Sequence, residues 1–396
     1  MTHSSPAVLG SKPRFEKQLN VGQLEFPSWE EFREVFDGIF ERRWYTNHGP
    51  LTEELEAKLA DYLGVKHAMT MTNGTIGLMV AAKALGLEGK VVLPAFTFIA
   101  SAQSLTWCGL DPVFCDVDPF THNMSAELVE PLLSEDVSAI MGVHLWGNPC
   151  DIDGLSSLAE NRGIQLYFDA AQAFASEYKG TRIAGFGNLE VFSFHATKLF
   201  SATEGGLVCT DDDDLAKRVR NIRSSYGAGP AVPVPFTANG RFSEAQAGMA
   251  LLSLKALPGV LNRCSSLKRE YQAGLVGIPG IRVHDIDGES VVNNQYVVIE
   301  VSQDEFGLDR DMLAHVLKAD NVYSRRYFRP GVHRTGYYAS RYPEYLERLP
   351  VTDQLCDKVL QLPSGQGIDS ETVSQVCDIV KLAHDNAEQI REVMSA

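Results

Sequence analysis

No stretch of this sequence is long and apolar enough to suggest a membrane span, which needs about 20 consecutive apolar residues. The first twelve residues are rich in Ser, Pro and Gly and lack the apolar core of a signal peptide, so they read as a loose tail. Cysteine is sparse. There are seven, an odd number, and none forms a C-x-x-C pair. That excludes a disulfide framework and a zinc ribbon, and it points to a reducing compartment such as the cytoplasm; no metal is expected. Positive charge is also short: 35 Lys and Arg face 51 Asp and Glu, a net charge of −16. Without a long basic run to offset this, nucleic acid and acidic membrane surfaces are excluded as partners.

One segment departs from the acidic background. Arg325, Arg326, Arg329, His333 and Arg334 crowd together with Tyr327 and Phe328. A cationic, aromatic cluster suits a phosphorylated, ring-bearing ligand, and it equally suits a solvated loop of scattered ion pairs.

The remaining composition is that of a core-forming protein: 44% hydrophobic and 22% charged residues over 396 positions, long enough for two or three domains. Short runs rich in β-branched residues predict strands at 67–72, 91–94, 112–116, 139–143, 165–169, 190–194 and 206–210. Helical segments lie between them, at 52–63, 75–85, 99–108, 125–133 and 154–161. Such alternation predicts an α/β fold, with one large seven-stranded, mostly parallel sheet covered by helices. Further on, helices are predicted at 214–222, 243–254, 261–275 and near 309–319, a strand at 294–301, and a last helix from 370 to about 393. The Leu257-Pro258-Gly259 punctuation suggests a domain boundary, giving a large domain over 1–256 and a smaller α+β domain over 257–396. The Gly- and Pro-rich loop 227–240 is long enough to suggest a functional role.

Four predicted strand ends carry chemistry. Open α/β sheets bind ligands at the carboxyl ends of their strands, and Ser193-Phe-His-Ala-Thr-Lys198 leaves one such end. The Lys198 amine suits a Schiff base with an aldehyde cofactor, and Ser193 offers a hydroxyl to a phosphate. Alone, Lys198 is as well read as a surface lysine. Asp169 ends the apolar run 165–169, where an unpaired acid is costly. A pyridinium N–H is one suitable partner, and a helix N-cap is the plainer reading. Gln172 follows, placed to reach a ring oxygen. Asn73-Gly74-Thr75 leads a strand into a helix whose exposed N–H groups suit a phosphate, or else it is simply a turn. Phe98, after Pro94-Ala-Phe-Thr, is a stacking ring or a core residue. Phosphate cradle, stacking ring, carboxylate and lysine occur in that order, and pyridoxal 5'-phosphate is a cofactor that needs all four.

The ordered set resembles the sugar aminotransferases of the DegT-type family over about 45–382. The markers are Asn73-Gly-Thr75, Pro94-Ala-Phe-Thr-Phe98, Pro112-Val-Phe-Cys-Asp116, Asp169-Ala-Ala-Gln-Ala173, Ser193-Phe-His-Ala-Thr-Lys198 with Glu204-Gly-Gly206, and Asn239-Gly-Arg241. The resemblance implies the aspartate-aminotransferase-like architecture, fold type I of the pyridoxal-phosphate-dependent transferases. It makes Lys198 the Schiff-base lysine, Asp169 the pyridinium partner and Gln172 the residue beside the ring 3-oxygen. Gly74, Thr75 and Ser193 become phosphate ligands, and Phe98 the stacking ring. Asn239 becomes a phosphate ligand reaching in from the other subunit of a homodimer. A lysine at position 198, where some members have histidine, favours amino transfer over sugar dehydration. Gly142-Val-His-Leu-Trp-Gly147 and the 325–333 segment most resemble members that aminate the 4-keto carbon of dTDP-4-keto-6-deoxyglucose, with L-glutamate as donor. Asn47, Arg325, Arg326, Tyr327, Phe328 and His333 are then expected at the sugar nucleotide. The family often has Gly-Glu-Gly-Gly where this chain has Thr203-Glu204-Gly205-Gly206.

Overall fold

The computed structural model describes residues 5–22, 26–225, 227–286 and 290–395. Its central sheet has seven strands: β1 (His67–Met71), β2 (Lys90–Pro94), β3 (Asp111–Cys115), β4 (Val137–Val143), β5 (Gln165–Asp169), β6 (Leu189–Ser193) and β7 (Gly206–Thr210). Their order is β1-β7-β6-β5-β4-β2-β3, and only β7 runs antiparallel to its neighbours. The seven strands predicted from sequence are these seven, shifted by at most two residues at either end.

Side chains alternate across the sheet, and both faces are apolar. Val92, Ile140, Phe168 and Phe192 join the hydrophobic cluster on one face. Val91, Met141, Tyr167 and Val191 join the cluster on the other. A sheet buried on both sides reads as continuous hydrophobic runs, which is why its strands were visible in the sequence. The covering helices include α1 (Trp29–Arg42), α2 (Pro50–Leu63), α3 (Gly74–Ala84), α4 (Ile99–Trp107), α5 (Ile152–Arg162) and α6 (Asp213–Arg223). Strand order reverses between β2 and β4, and a sheet of this kind opens a crevice at the strand ends there.

The predicted helices 243–254 and 261–275 are one helix, α7 (Glu244–Leu275), which runs through Pro258. Proline there removes a single helical hydrogen bond. Ser243 and Gln246 close a capping box at its start, and the helix packs on α1, α2 and a C-terminal helix over Ser370–Asp385. The Leu257-Pro258-Gly259 punctuation therefore lies inside an element. Beyond α7 come the strands β8 (Ile281–Val283), β9 (Val297–Val301) and β10 (Val359–Leu362) of an antiparallel three-stranded sheet, with α8 (Arg310–Ala319) and α9 (Ser370–Asp385). The single helix predicted to reach 393 is interrupted at Asn386, whose side chain bonds back to the Leu382 carbonyl, and α10 (Ala387–Ser395) follows.

Residues of α7 from Leu267 onward join a separate core with Val297, Ile299, Leu313 and Val376, whereas Cys264 still belongs to the core of the large sheet. We propose that the chain divides into two domains near this change of core. The first four residues lie outside the description, but the rest of the expected loose tail is docked. Asp320 accepts from the backbone N–H groups of Ala7, at 3.1 Å, and Arg14, at 2.9 Å.

Candidate active site

At the end of β1, Asn73 caps α3 by accepting the Ile76 N–H at 2.8 Å. The next residue has little room for a side chain: a Cβ on Gly74 would stand 3.0 Å from the Ser193 Cβ. Gly206, opposite both Met71 and Ser193 in the sheet, leaves no more room, since its Cβ would meet the Asn73 carbonyl carbon at 2.6 Å. These glycines press Ser193 against the start of α3. Gly74, Thr75 and Ser193 thereby share one cavity wall, where unbonded helix N–H groups favour an anion. Thr203, at the family's frequent glycine position, adopts a left-handed φ of 68°, a conformation costly for a β-branched residue.

The cavity, about 360 Å³, opens at the carboxyl ends of β1, β2, β4, β5 and β6. Phe98, exposed at the N-terminus of α4, forms part of its wall. Asp169 ends β5 between Val143 and Val191 and is buried. Ser101 Oγ donates to its carboxylate at 2.7 Å and the Ala171 N–H at 3.1 Å, and Thr97 lies 3.0 Å from Ser101. Burial pushes the Asp169 carboxyl above the usual range, while these two donors and the Lys198 charge pull it back. An acid held this way invites a further cationic partner in the cavity. Beside it, the buried ring of His144 stacks on Phe168, and its Nδ1 accepts the Cys150 N–H. Burial drops the His144 imidazole to about 3, so the ring is neutral, and its Nε2 has no partner among the described residues.

Lys198 follows β6 in a turn, with its Nζ donating to Tyr296 Oη at 3.1 Å. Burial lowers its basicity, opposed by Tyr327 and Asp169 and assisted by Arg325. Gln172 accepts the Trp146 backbone N–H on its Oε1 at 2.7 Å, which leaves its amide N–H₂ for a ligand. An anion at the α3 terminus, a flat ring against Phe98, a cation facing Asp169 and a carbonyl carbon within reach of Lys198 are what this donor set fits.

The basic segment separates into two parts. Arg325, Tyr327 and Phe328 line the cavity, and the Arg325 backbone is fixed by paired bonds to Gln361 of β10. Arg326 and Arg329 turn to Asp311, while His333 and Arg334 bond Asp353, so none of these four is in the lining. Asn47 and Asn239 also stand outside it, both exposed and both with left-handed φ. Ser101 and Tyr296 were not singled out in the sequence, and His144 and Trp146 entered only as part of the Gly142–Gly147 stretch, with no role of their own. Ser101 lies one helical turn beyond Thr97, but nothing local marks it, and Tyr296 reads as an ordinary aromatic of the predicted strand 294–301.

Residues 28–381 match the DegT/DnrJ/EryC1/StrS aminotransferase family. The chain belongs to that family. It is an aminotransferase, and its architecture is fold type I. Among its relatives is the dTDP-4-amino-4,6-dideoxy-D-glucose transaminase of Shigella dysenteriae, 33% identical over 92% of this chain and 99% of that protein. The GDP-perosamine synthase of Escherichia coli O157:H7 is 29% identical over 88% of this chain and 94% of its own length. Among solved structures, DesI in the presence of its TDP-sugar product superposes with a TM-score of 0.94 at 38% identity, covering 99% of this chain and all of that one.

Proposed function

We propose that the chain carries pyridoxal 5'-phosphate on Lys198 and moves the amino group of L-glutamate to the 4-keto carbon of dTDP-4-keto-6-deoxyglucose. The products are 2-oxoglutarate and dTDP-4-amino-4,6-dideoxyglucose. The observation that carries this reading is the meeting, in one cavity, of the Lys198 amine, the buried Asp169 carboxylate and the N-terminus of α3. The dTDP-sugar assignment rests on the Shigella relative and on the likeness to DesI with its TDP-sugar product.

When bound, the cofactor supplies an electron sink for bond breaking at the amino-bearing carbon. The protein supplies the rest. Gly74, Thr75 and Ser193 would hold the phosphate, Phe98 would stack on the ring and Asp169 would keep the ring nitrogen protonated. Gln172 offers its amide N–H to the ring 3-oxygen. Lys198, its amine freed by the incoming donor, made less basic by burial and oriented by Tyr296, would move the proton off the donor's α-carbon and, in the second half-reaction, would deliver a proton to C4 of the sugar. Arg325, Tyr327 and Phe328 are the residues of the basic segment placed for the sugar nucleotide. Asn239, exposed and outside the cavity lining, suits the expected role across a homodimer. Seven buried free thiols suit a reducing cytoplasm.

No described helix is long and apolar enough to cross a membrane. The test is a coupled assay of purified protein with L-glutamate and the dTDP-, UDP- and GDP-linked 4-keto-6-deoxy sugars. Turnover is expected with the dTDP sugar; turnover confined to another nucleotide would overturn the assignment.

A further inference from the structure

Outside the cavity wall, three side chains form a hydrogen-bonded chain with determined polarity. The Trp146 indole N–H donates to His122 Nδ1 at 3.2 Å, and His122 Nε2 lies 3.0 Å from a Glu300 carboxylate oxygen. An indole nitrogen only donates, so His122 Nδ1 accepts and the proton of the neutral ring sits on Nε2, directed at Glu300. Arg282 pairs with the same carboxylate, and the His284 ring stacks on His122 with centroids 4.1 Å apart. His122, His284 and Glu300 bring possible ligand atoms within 4.8 Å of one another. A metal on His122 Nε2 would need the proton moved to Nδ1, where the Trp146 N–H already points, so the geometry favours the hydrogen-bonded chain.

The chain ends on a residue that touches Gln172, Tyr327 and Phe328 of the cavity wall. Trp146 is buried and left-handed, with φ 58° and ψ 14°. Its backbone N–H holds Gln172. Its ring stacks on Phe328 at 5.4 Å and 11° and packs on Tyr327 and Tyr296 at 5.6 and 5.7 Å. Tyr296 in turn holds Lys198. Glu300 lies in β9 and Tyr296 immediately before it, whereas His122 and Trp146 follow strands of the large sheet, so the chain ties the two sheets together at the site.

We propose that Trp146, clamped by Glu300 through His122, is a positioning residue of the amino-transfer site that fixes Gln172 and the Tyr296–Lys198 pair. This rests on the reading that Lys198 carries the cofactor. Trp146→Phe keeps a stacking ring and removes the indole donor. His122→Phe removes both links, and His122→Gln restores an acceptor and a donor. Trp146→Phe and His122→Phe are expected to lower kcat roughly tenfold, about 1.4 kcal/mol, with the KM for L-glutamate little changed. The visible absorption maximum of the bound cofactor should shift as Gln172 and Lys198 move. His122→Gln should recover both properties. In cofactor-free protein labelled with ¹⁵N-histidine, NMR should show His122 as the Nε2–H tautomer. The Nδ1–H tautomer, or wild-type kcat and spectrum in both Phe variants, overturns the proposal. If unmodified protein binds no cofactor on Lys198, the underlying functional reading fails instead, and the tautomer measurement still judges the clamp.

Discussion

Ser101 Oγ donates a 2.7 Å hydrogen bond to the Asp169 carboxylate from the first turn of α4, so a helix following β2 favours the ionised form of an acid at the end of β5. A bond to a charged group contributes about 1.5–3 kcal/mol. Ser101→Ala should therefore lower kcat roughly ten- to a hundredfold. Burial raises the Asp169 carboxyl and the Ser101 bond lowers it. Removing the bond raises it further, and the acid limb of the pH–rate profile should move to higher pH. An unchanged limb would show that Ser101 does not act on Asp169.

The basic segment makes a selective prediction. Arg325→Ala should raise the KM for the sugar nucleotide roughly ten- to a hundredfold, since about 1.4 kcal/mol is a factor of ten. The glutamate half-reaction should be unaffected. Arg326→Ala and Arg329→Ala remove exposed pairs with Asp311 and should change that KM by less than about threefold. Equal effects in steady-state kinetics across the three variants would contradict this division.

Subunit mixing tests the homodimer. Lys198→Ala and Asn239→Ala proteins, each impaired alone, should regain activity when their subunits exchange, because one composite site then has both residues intact. No recovery despite exchange confirmed by mass spectrometry would mean that each site is built within one chain.

Glu190, wholly buried on β6, takes the Phe186 N–H on one oxygen, and its other oxygen has no partner among the described residues. Burial pushes its carboxyl up to about 8, against an unfolded value near 4.3. Between those values the folded chain holds a proton that the unfolded chain has released, so this group's contribution to stability falls as pH rises through the window. Glu190→Gln should remove that slope, changing Tm least at pH 5 and raising it by several degrees at pH 8. Parallel thermal-unfolding curves for the two proteins across this range would contradict the assignment.

Much of this was legible in the sequence because the large sheet is buried on both faces, which turns its strands into separate apolar runs. Gly74, Phe98, Asp169 and Lys198 stood out because each follows or ends such a run. The continuity of α7 was hidden, since Pro258 looks like a break until packing on α1, α2 and α9 is known. The division of the arginines was hidden too: Asp311 and Asp353, which hold Arg326, Arg329, His333 and Arg334, lie 15 to 20 residues away along the chain. Trp146 and Tyr296 look like ordinary core aromatics until their partners on two different sheets are seen.

Borohydride reduction of purified protein supplied with pyridoxal 5'-phosphate, followed by peptide mass spectrometry, tests the central claim most directly. A yellow protein is expected whose colour is lost on reduction, with the cofactor fixed on Lys198 alone. An adduct on another lysine, or no adduct at all, would contradict it.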